Sequence, residues 1–288
     1  MKVVLFCGGS GLRLRGYADD VPKPMVELGT RPILWHLMKY YAHFGHKDFI
    51  LCLGYKSNVI KDYFLHYDES VSNNFVLSNG GKSVELLNRD IDDWKITFVE
   101  TGANANIGQR LKAVEPYVQG EEVFLANYGD VLSDLPLPSL LDTFRESNAI
   151  ASVLLVQPTG SFDIVYAGSD GMVQEIRPIT QTDMWINGGF FAMRSEIFNY
   201  IHPGEELIRE PFQRMIEKQV LLGYKYRGFW QCMDTFKDKQ HLEELNQGSA
   251  PWKVWNHTAN TAANTVEDSA GRLLDSRRDQ SAVAPAFL

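Results

Sequence analysis

The sequence predicts an α/β protein with a parallel sheet covered by helices, and three observations carry that expectation. Lys2 to Cys7 (KVVLFC) is a short apolar run rich in β-branched residues that breaks into Gly8-Gly9-Ser10-Gly11. Strand-like and helix-like periodicities then alternate, as they do when parallel strands are joined by crossover helices. A later apolar run, Glu122 to Ala126, stops at Asn127-Tyr128-Gly129-Asp130, which places a carboxylate at a strand end. With 288 residues, 44% of them hydrophobic, the chain can build one sizeable core, or one core with a smaller appendage.

Taken in order, Pro32 to Phe44 has apolar residues at helical spacing and reads as an amphipathic helix. Phe49 to Leu53 is a second buried strand, ending at Gly54-Tyr55-Lys56, and Asn58 to Tyr67 is again helical. Phe75 to Leu77 and Val84 to Leu87 flank Asn79-Gly80-Gly81, a hairpin signal. Lys95 to Glu100 is a strand, and a helix begins near Gly108-Gln109-Arg110, a start that could aim amides and Arg110 at an anion. An exposed arginine is the plainer reading of Arg110 taken by itself. Ile150 to Gln157 is a further strand, and Ile164 to Val173 suggests a hairpin around Gly168 to Gly171. In Ile186-Asn187-Gly188-Gly189-Phe190-Phe191 a glycine pair interrupts a strand-like run, as where backbone approaches a ligand closely. Ile208 to Gln219 reads as a helix, Gly223 to Trp230 as a strand, and Lys237 to Leu245 as a charged helix. From Asn256 the composition turns to Ala, Thr, Asn, Ser and Asp, so the expected division is a folded domain over 1–255 and a disordered tail over 256–288.

Composition excludes several classes. A net charge of -8 argues against a nucleic-acid surface, and no apolar run has the length to span a membrane. Cys7, Cys52 and Cys232 have no metal-ligand spacing and cannot all pair, which fits small core residues in a reducing cytoplasm. The chain passes at once into a strand and a glycine loop, so a signal peptide is not expected.

Local chemistry points to phosphate. Glycines let backbone amides converge on one point without a Cβ in the way, and arginine and lysine supply the charge. The glycines alone are as consistent with an ordinary solvent turn; Arg13 and Pro22-Lys23-Pro24 close behind favour an anion site. The dinucleotide fingerprint lacks its third glycine, since Leu14 stands there, and no Gly-Lys-Ser/Thr closes a P-loop.

Gly8-Gly9-Ser10-Gly11-Leu12-Arg13-Leu14 with Pro22-Lys23-Pro24-Met25 resembles the signature of the sugar-phosphate nucleotidyltransferases. Pro32-Ile33-Leu34-Trp35-His36, Tyr128-Gly129-Asp130, Ile186 to Phe191, Gly228-Phe229-Trp230-Gln231 and Met233-Asp234-Thr235 are similar to the glucose-1-phosphate cytidylyltransferase branch, and the likeness runs to about Trp255. The resemblance implies a single Rossmann-like domain with a mixed, mostly parallel central sheet, helices on both faces and a small β appendage. It implies transfer of a nucleotidyl group from a nucleoside triphosphate, CTP first, to a sugar-1-phosphate, glucose-1-phosphate first, with Mg²⁺ as cofactor and pyrophosphate released. By position it makes Arg13, Lys23 and Asp130 catalytic. Gly8, Gly9, Gly11, Arg110, Asn127 and Gly129 would serve the nucleotide. Arg177, Asn187 and Gly188 would serve the sugar phosphate, and Asp130 and Asp234 the metal. It also implies a homo-oligomer with neither nucleic-acid nor membrane partners. Leu12, Gln109, Val131 and Ile176 depart from the family pattern, and they gather where base and sugar would be read.

Overall fold

The computed structural model describes residues 1–9, 21–159 and 162–256. Strand β1 (Lys2–Phe6) is followed by a 3-10 turn over Lys23–Met25, the two-residue strands β2 (Glu27–Leu28) and β3 (Arg31–Pro32), and helix α1 (Ile33–His43). Then come β4 (Asp48–Leu53), α2 (Ser57–Leu65), the hairpin β5 (Phe75–Ser78) and β6 (Ser83–Leu86), and β7 (Lys95–Glu100). Helices α3 (Ile107–Ala113) and α4 (Glu115–Val118) lead to β8 (Val123–Tyr128), β9 (Val131–Ser133), α5 (Leu137–Glu146) and β10 (Ala151–Val156). The rest is β11 (Asp163–Ala167), β12 (Val173–Pro178), β13 (Ile186–Asn187), β14 (Phe191–Arg194), α6 (Glu210–Glu217), β15 (Leu221–Tyr226), β16 (Trp230–Cys232) and α7 (Phe236–Gln247).

The central sheet has eight strands in the order β13-β10-β14-β8-β1-β4-β7, with β15 on the far side of β10. The pairs β8–β1, β1–β4, β4–β7 and β10–β15 are parallel, whereas β14 runs against β8 and β10, and β13 against β10. The sheet is therefore mixed and mostly parallel. Val3, Val4, Leu5 and Phe6 are all buried although successive side chains of a strand point to opposite faces, so both faces of β1 are covered. On one face Val4, Phe6, Ile50, Cys52 and Phe124 join Leu111 of α3 and Phe212 and Met215 of α6 in a common core. At about 25 cal/mol per Å², each of these aliphatic and aromatic side chains stabilises the fold by roughly 1.5–3 kcal/mol.

Among the described residues, four small two-stranded units stand apart from the central sheet: β5–β6, β11–β12, β2–β3 and the ribbon β9–β16. The first two are the expected hairpins. The segment 133–149, to which the sequence assigns no element, holds α5, entered through Pro136 and Pro138 and burying Leu137, Leu140, Leu141 and Phe144. A compact unit spans Met1–Trp252, beyond which Val254–Asn256 forms one 3-10 turn. The tail expected over 256–288 lies outside the described residues from 257 onward, as do Gly11, Leu12 and Arg13.

Candidate active site

Parallel strands end together, and the loops that follow β1, β4, β7 and β8 open at one edge of the sheet, where open α/β folds bind ligands. A cavity of about 720 Å³ lies there, lined among others by Gly8, Gly9, Lys23, Arg110, Tyr128, Asp130, Asn187, Glu206, Trp230 and Asp234. Such a volume suits a nucleotide-sized ligand.

Lys23, Asp130 and Asp234 meet in this cavity from three distant parts of the chain. Pro22 leads Lys23 into its 3-10 turn, where Met25 N–H donates to Pro22 O at 2.8 Å. Asp130 sits between β8 and β9, and Asp234 follows β16. Ribbon pairing Val131↔Cys232 and a 3.0 Å bond from Met233 N–H to Asp130 O hold the two carboxylates side by side. The Lys23 ammonium donates to Asp130 Oδ2 at 2.5 Å and to Asp234 Oδ1. Burial alone would lower the lysine's pKa, but the Asp130 charge and the hydrogen bonds to both carboxylates outweigh it, and the net shift is upward. Two carboxylates that share one ammonium have already converged on a cation. Mg²⁺ takes one or two carboxylates together with waters and phosphate oxygens, so this donor set fits it.

Arg110 does something other than reach for a ligand. It is 2% exposed, and its guanidinium donates to Leu53 O at 3.1 Å, Thr101 Oγ1 at 2.7 Å and Gly8 O at 2.9 Å. These acceptors end or follow β4, β7 and β1, so one side chain ties the tips of three adjacent strands. Burial pulls its pKa below the ordinary arginine value. Gly8 is required by this contact, because a Cβ there would lie 1.9 Å from Arg110 Nη1. The start of α3 is likewise occupied from within. Asn106 and Gln109 form a capping box, and the Glu206 carboxylate faces Ile107 N–H at 3.4 Å. A protein carboxylate stands where the sequence suggested a bound anion, and Gln109 serves the cap.

Asn187 does line the cavity, with its amide held between the Tyr128 hydroxyl, to which it donates at 2.9 Å, and Gly189 N–H. Burial pushes the Tyr128 phenol up to about 12. Four other residues expected at the site have partners within the protein or lie away from the cavity. Asn127 is fully buried: its Oδ1 accepts from Tyr128 N–H and Phe190 N–H, and its Nδ2 donates to the Tyr41 hydroxyl. It shapes the turn behind the cavity, where Gly189 (φ +75°) and Phe190 (φ 46°) are left-handed. Gly129 allows close packing, since a Cβ there would lie 3.1 Å from Cys7 Sγ, Phe6 O and Pro24 Cγ. Gly188 spends its N–H on Leu154 O and its carbonyl on the Trp230 indole. Arg177 is partly exposed on β12, ion-paired with Glu175, and does not line the cavity. Among the described residues, Tyr128, Glu206 and Trp230 were not foreseen as cavity lining. Trp230 lies in a quoted motif; Glu206 carries no sequence signal.

Comparison with known proteins supplies the family. The family model described as nucleotidyl transferase matches residues 2–239. The chain belongs to that family. The glucose-1-phosphate cytidylyltransferases of Salmonella typhi and Salmonella typhimurium are each 38% identical to this nucleotidyltransferase over 259 residues, covering 88% of it and 100% of the relative. Among solved structures, the inositol-1-phosphate CTP transferase from T. maritima superposes with a TM-score of 0.60 at 16% identity, covering 88% of this chain and 96% of that one. That likeness supports the Rossmann-like fold. As a nucleotidyltransferase the chain is an enzyme, and among its described residues no helix is long and apolar enough to cross a membrane.

Proposed function

We propose that this nucleotidyltransferase joins CTP to glucose-1-phosphate or a related sugar-1-phosphate, with Mg²⁺, giving a CDP-sugar and pyrophosphate. The observation that carries the reading is the convergence of Lys23, Asp130 and Asp234 in a cavity at the strand ends, in a chain 38% identical to cytidylyltransferases over their whole length.

An oxygen of the sugar phosphate attacks the α-phosphorus of the triphosphate; a P–O bond forms, and the bond to the departing pyrophosphate breaks. The attacking oxygen is already anionic, so no general base is needed, and the histidines of α1 stay outside the chemistry. His36 in fact packs in the core with a ring nitrogen 2.9 Å from Leu28 O. Phosphoryl transfer asks the protein for alignment and for positive charge where negative charge develops. Asp130 and Asp234 would hold Mg²⁺, which supplies charge neutralisation at the phosphates when bound. Lys23, which lines the same cavity, would supply positive charge to phosphate oxygens. Gly8 and Gly9 line the cavity without side chains, and Asn187 lines it with an amide held in place by Tyr128 and Gly189.

Pyrophosphate release measured over a matrix of nucleoside triphosphates and sugar-1-phosphates tests the reading. CTP with a sugar-1-phosphate is expected to give the highest kcat/KM and to require divalent metal. Binding of nucleotide without turnover of any pair overturns it.

A further inference from the structure

We propose that Lys225 and Arg227, gathered at the face of Trp185, form an anion subsite beside the cleft, so that the preferred sugar-1-phosphate carries a second negative group on its ring. The proposal rests on the nucleotidyl-transfer reading and narrows its substrate class.

The placement follows from the sheet. Leu155 at the end of β10 pairs with Asn187 on one side and with Lys225 on the other. Directly paired residues point to the same face, and two strand spacings separate Asn187 from Lys225 by about 9.6 Å. Asn187 lines the cleft. A ring held at Asn187 with a charged substituent pointing outward therefore lies within reach of a lysine side chain. The alternate residue Tyr226 is anchored elsewhere, its hydroxyl donating to Asp134 Oδ1 at 2.5 Å, and this fixes its neighbours Lys225 and Arg227 on the opposite side of the strand.

The two cations are organised. Lys225 Nζ lies 5.1 Å and Arg227 Cζ 5.4 Å from the centre of the Trp185 ring, both within the range of a cation–π contact. Together with Asp183 these three residues line a concavity of about 460 Å³. Among the described residues neither cation has an ion-pair partner within 4.0 Å. Two like charges at one ring, faced by a single carboxylate, leave a net positive pocket. An anion there relieves the repulsion between them. Asp183, also felt by the partly exposed Arg177 of β12, offsets one of the two positive charges, so the pocket keeps a net positive charge of about one.

The test compares glucose-1-phosphate, glucuronic acid 1-phosphate and glucose 1,6-bisphosphate as acceptors, with saturating CTP and Mg²⁺, in the full-length enzyme and in the double variant Lys225→Met with Arg227→Gln. Two partly exposed charge contacts are together worth about tenfold in kcat/KM. The expected result is that preference for one or both charged sugars over glucose-1-phosphate, expressed mainly in KM, falling toward unity in the variant and in 0.5 M salt. A carboxylate preference and a phosphate preference are separated by the two charged acceptors. Melting curves of the variant verify that it folds, and the salt dependence of the parent enzyme supplies a second readout that needs no variant. Turnover of glucose-1-phosphate with no advantage for either charged sugar overturns this proposal alone, as does a preference that survives the double substitution. No turnover with any of the three overturns the nucleotidyl-transfer reading beneath it as well.

Discussion

Replacing Arg110 by methionine removes the guanidinium that joins the ends of β1, β4 and β7 while keeping the aliphatic volume. Hydrogen bonds from a charged donor contribute roughly 1.5–3 kcal/mol each. The three acceptors here are not all stranded by its loss. Leu53 O also accepts from Thr101 N–H at 3.0 Å and Thr101 Oγ1 at 2.7 Å, and Gly8 O from Tyr55 N–H at 3.1 Å. Losing the buried charge also returns part of its desolvation cost. The balance is about 2–4 kcal/mol of destabilisation, close to the cost of breaking a buried charged network. For a domain of this size each kcal/mol moves Tm by about 2–4 °C, so Arg110→Met is expected to melt about 4–16 °C lower. Circular dichroism melts alongside steady-state pyrophosphate release check it, and kcat/KM should fall with Tm because the strand-end loops line the cavity. Gly8→Ala should act through the same contact, and the double variant should cost less than the sum of the single ones. A Tm within about 2 °C of the parent, paired with a raised KM for the triphosphate alone, would show that Arg110 binds ligand and that the clamp reasoning is wrong.

Three further expectations are independent of that clamp. Asp130→Asn should lower metal-dependent pyrophosphate release by about a hundredfold or more, with a near-parental melt, since the ribbon that positions it is made of main-chain bonds. Lys23→Met should lose turnover to a similar degree while binding Mg²⁺ about tenfold more tightly in calorimetric titration without nucleotide, because the ammonium no longer competes for the carboxylates; unchanged metal affinity would contradict the shared site. His46 is held down to about 4 from its ordinary 6.5, chiefly by burial and further by the N-terminal amine and Arg145. The unfolded chain therefore binds a proton that the native state refuses. Its share of stability is complete above pH 6.5 and disappears as pH falls toward 4, so a plot of Tm against pH should flatten across that window in His46→Asn.

The fold was legible because hydrophobic period is a backbone property. β1, β4, β7, β8 and β10 are apolar runs bounded by turn residues, and a parallel sheet buried on both faces writes such runs. Helix α5 escaped because prolines flank its start, although both sit where a first helical turn tolerates them. The site was legible only in part. Motif position puts Asp130 at a strand end and Lys23 in a proline-fixed turn, and backbone topology then brings the two together. It does not say which way a side chain turns, and that direction separates Asn187, on the cavity wall, from Asn127, buried behind it. It also does not reveal that Arg110 and the capping box of α3 are spent on the protein's own carbonyls and amides. Glu206 reached the cavity through tertiary packing alone.

The ribbon that holds Asp130 beside Asp234 has a consequence for the order of events during folding. Leu132 pairs with Gln231, so its closure encircles about a hundred residues, including β10 to β15. A loop that long carries a large entropic penalty until its interior has condensed, so this pairing belongs among the late contacts. Before then the two carboxylates are strangers on a fluctuating chain. A nascent or partly unfolded molecule thus lacks the paired carboxylates proposed to hold the metal, and the arrangement of Lys23, Asp130 and Asp234 arises only with completion of the whole domain.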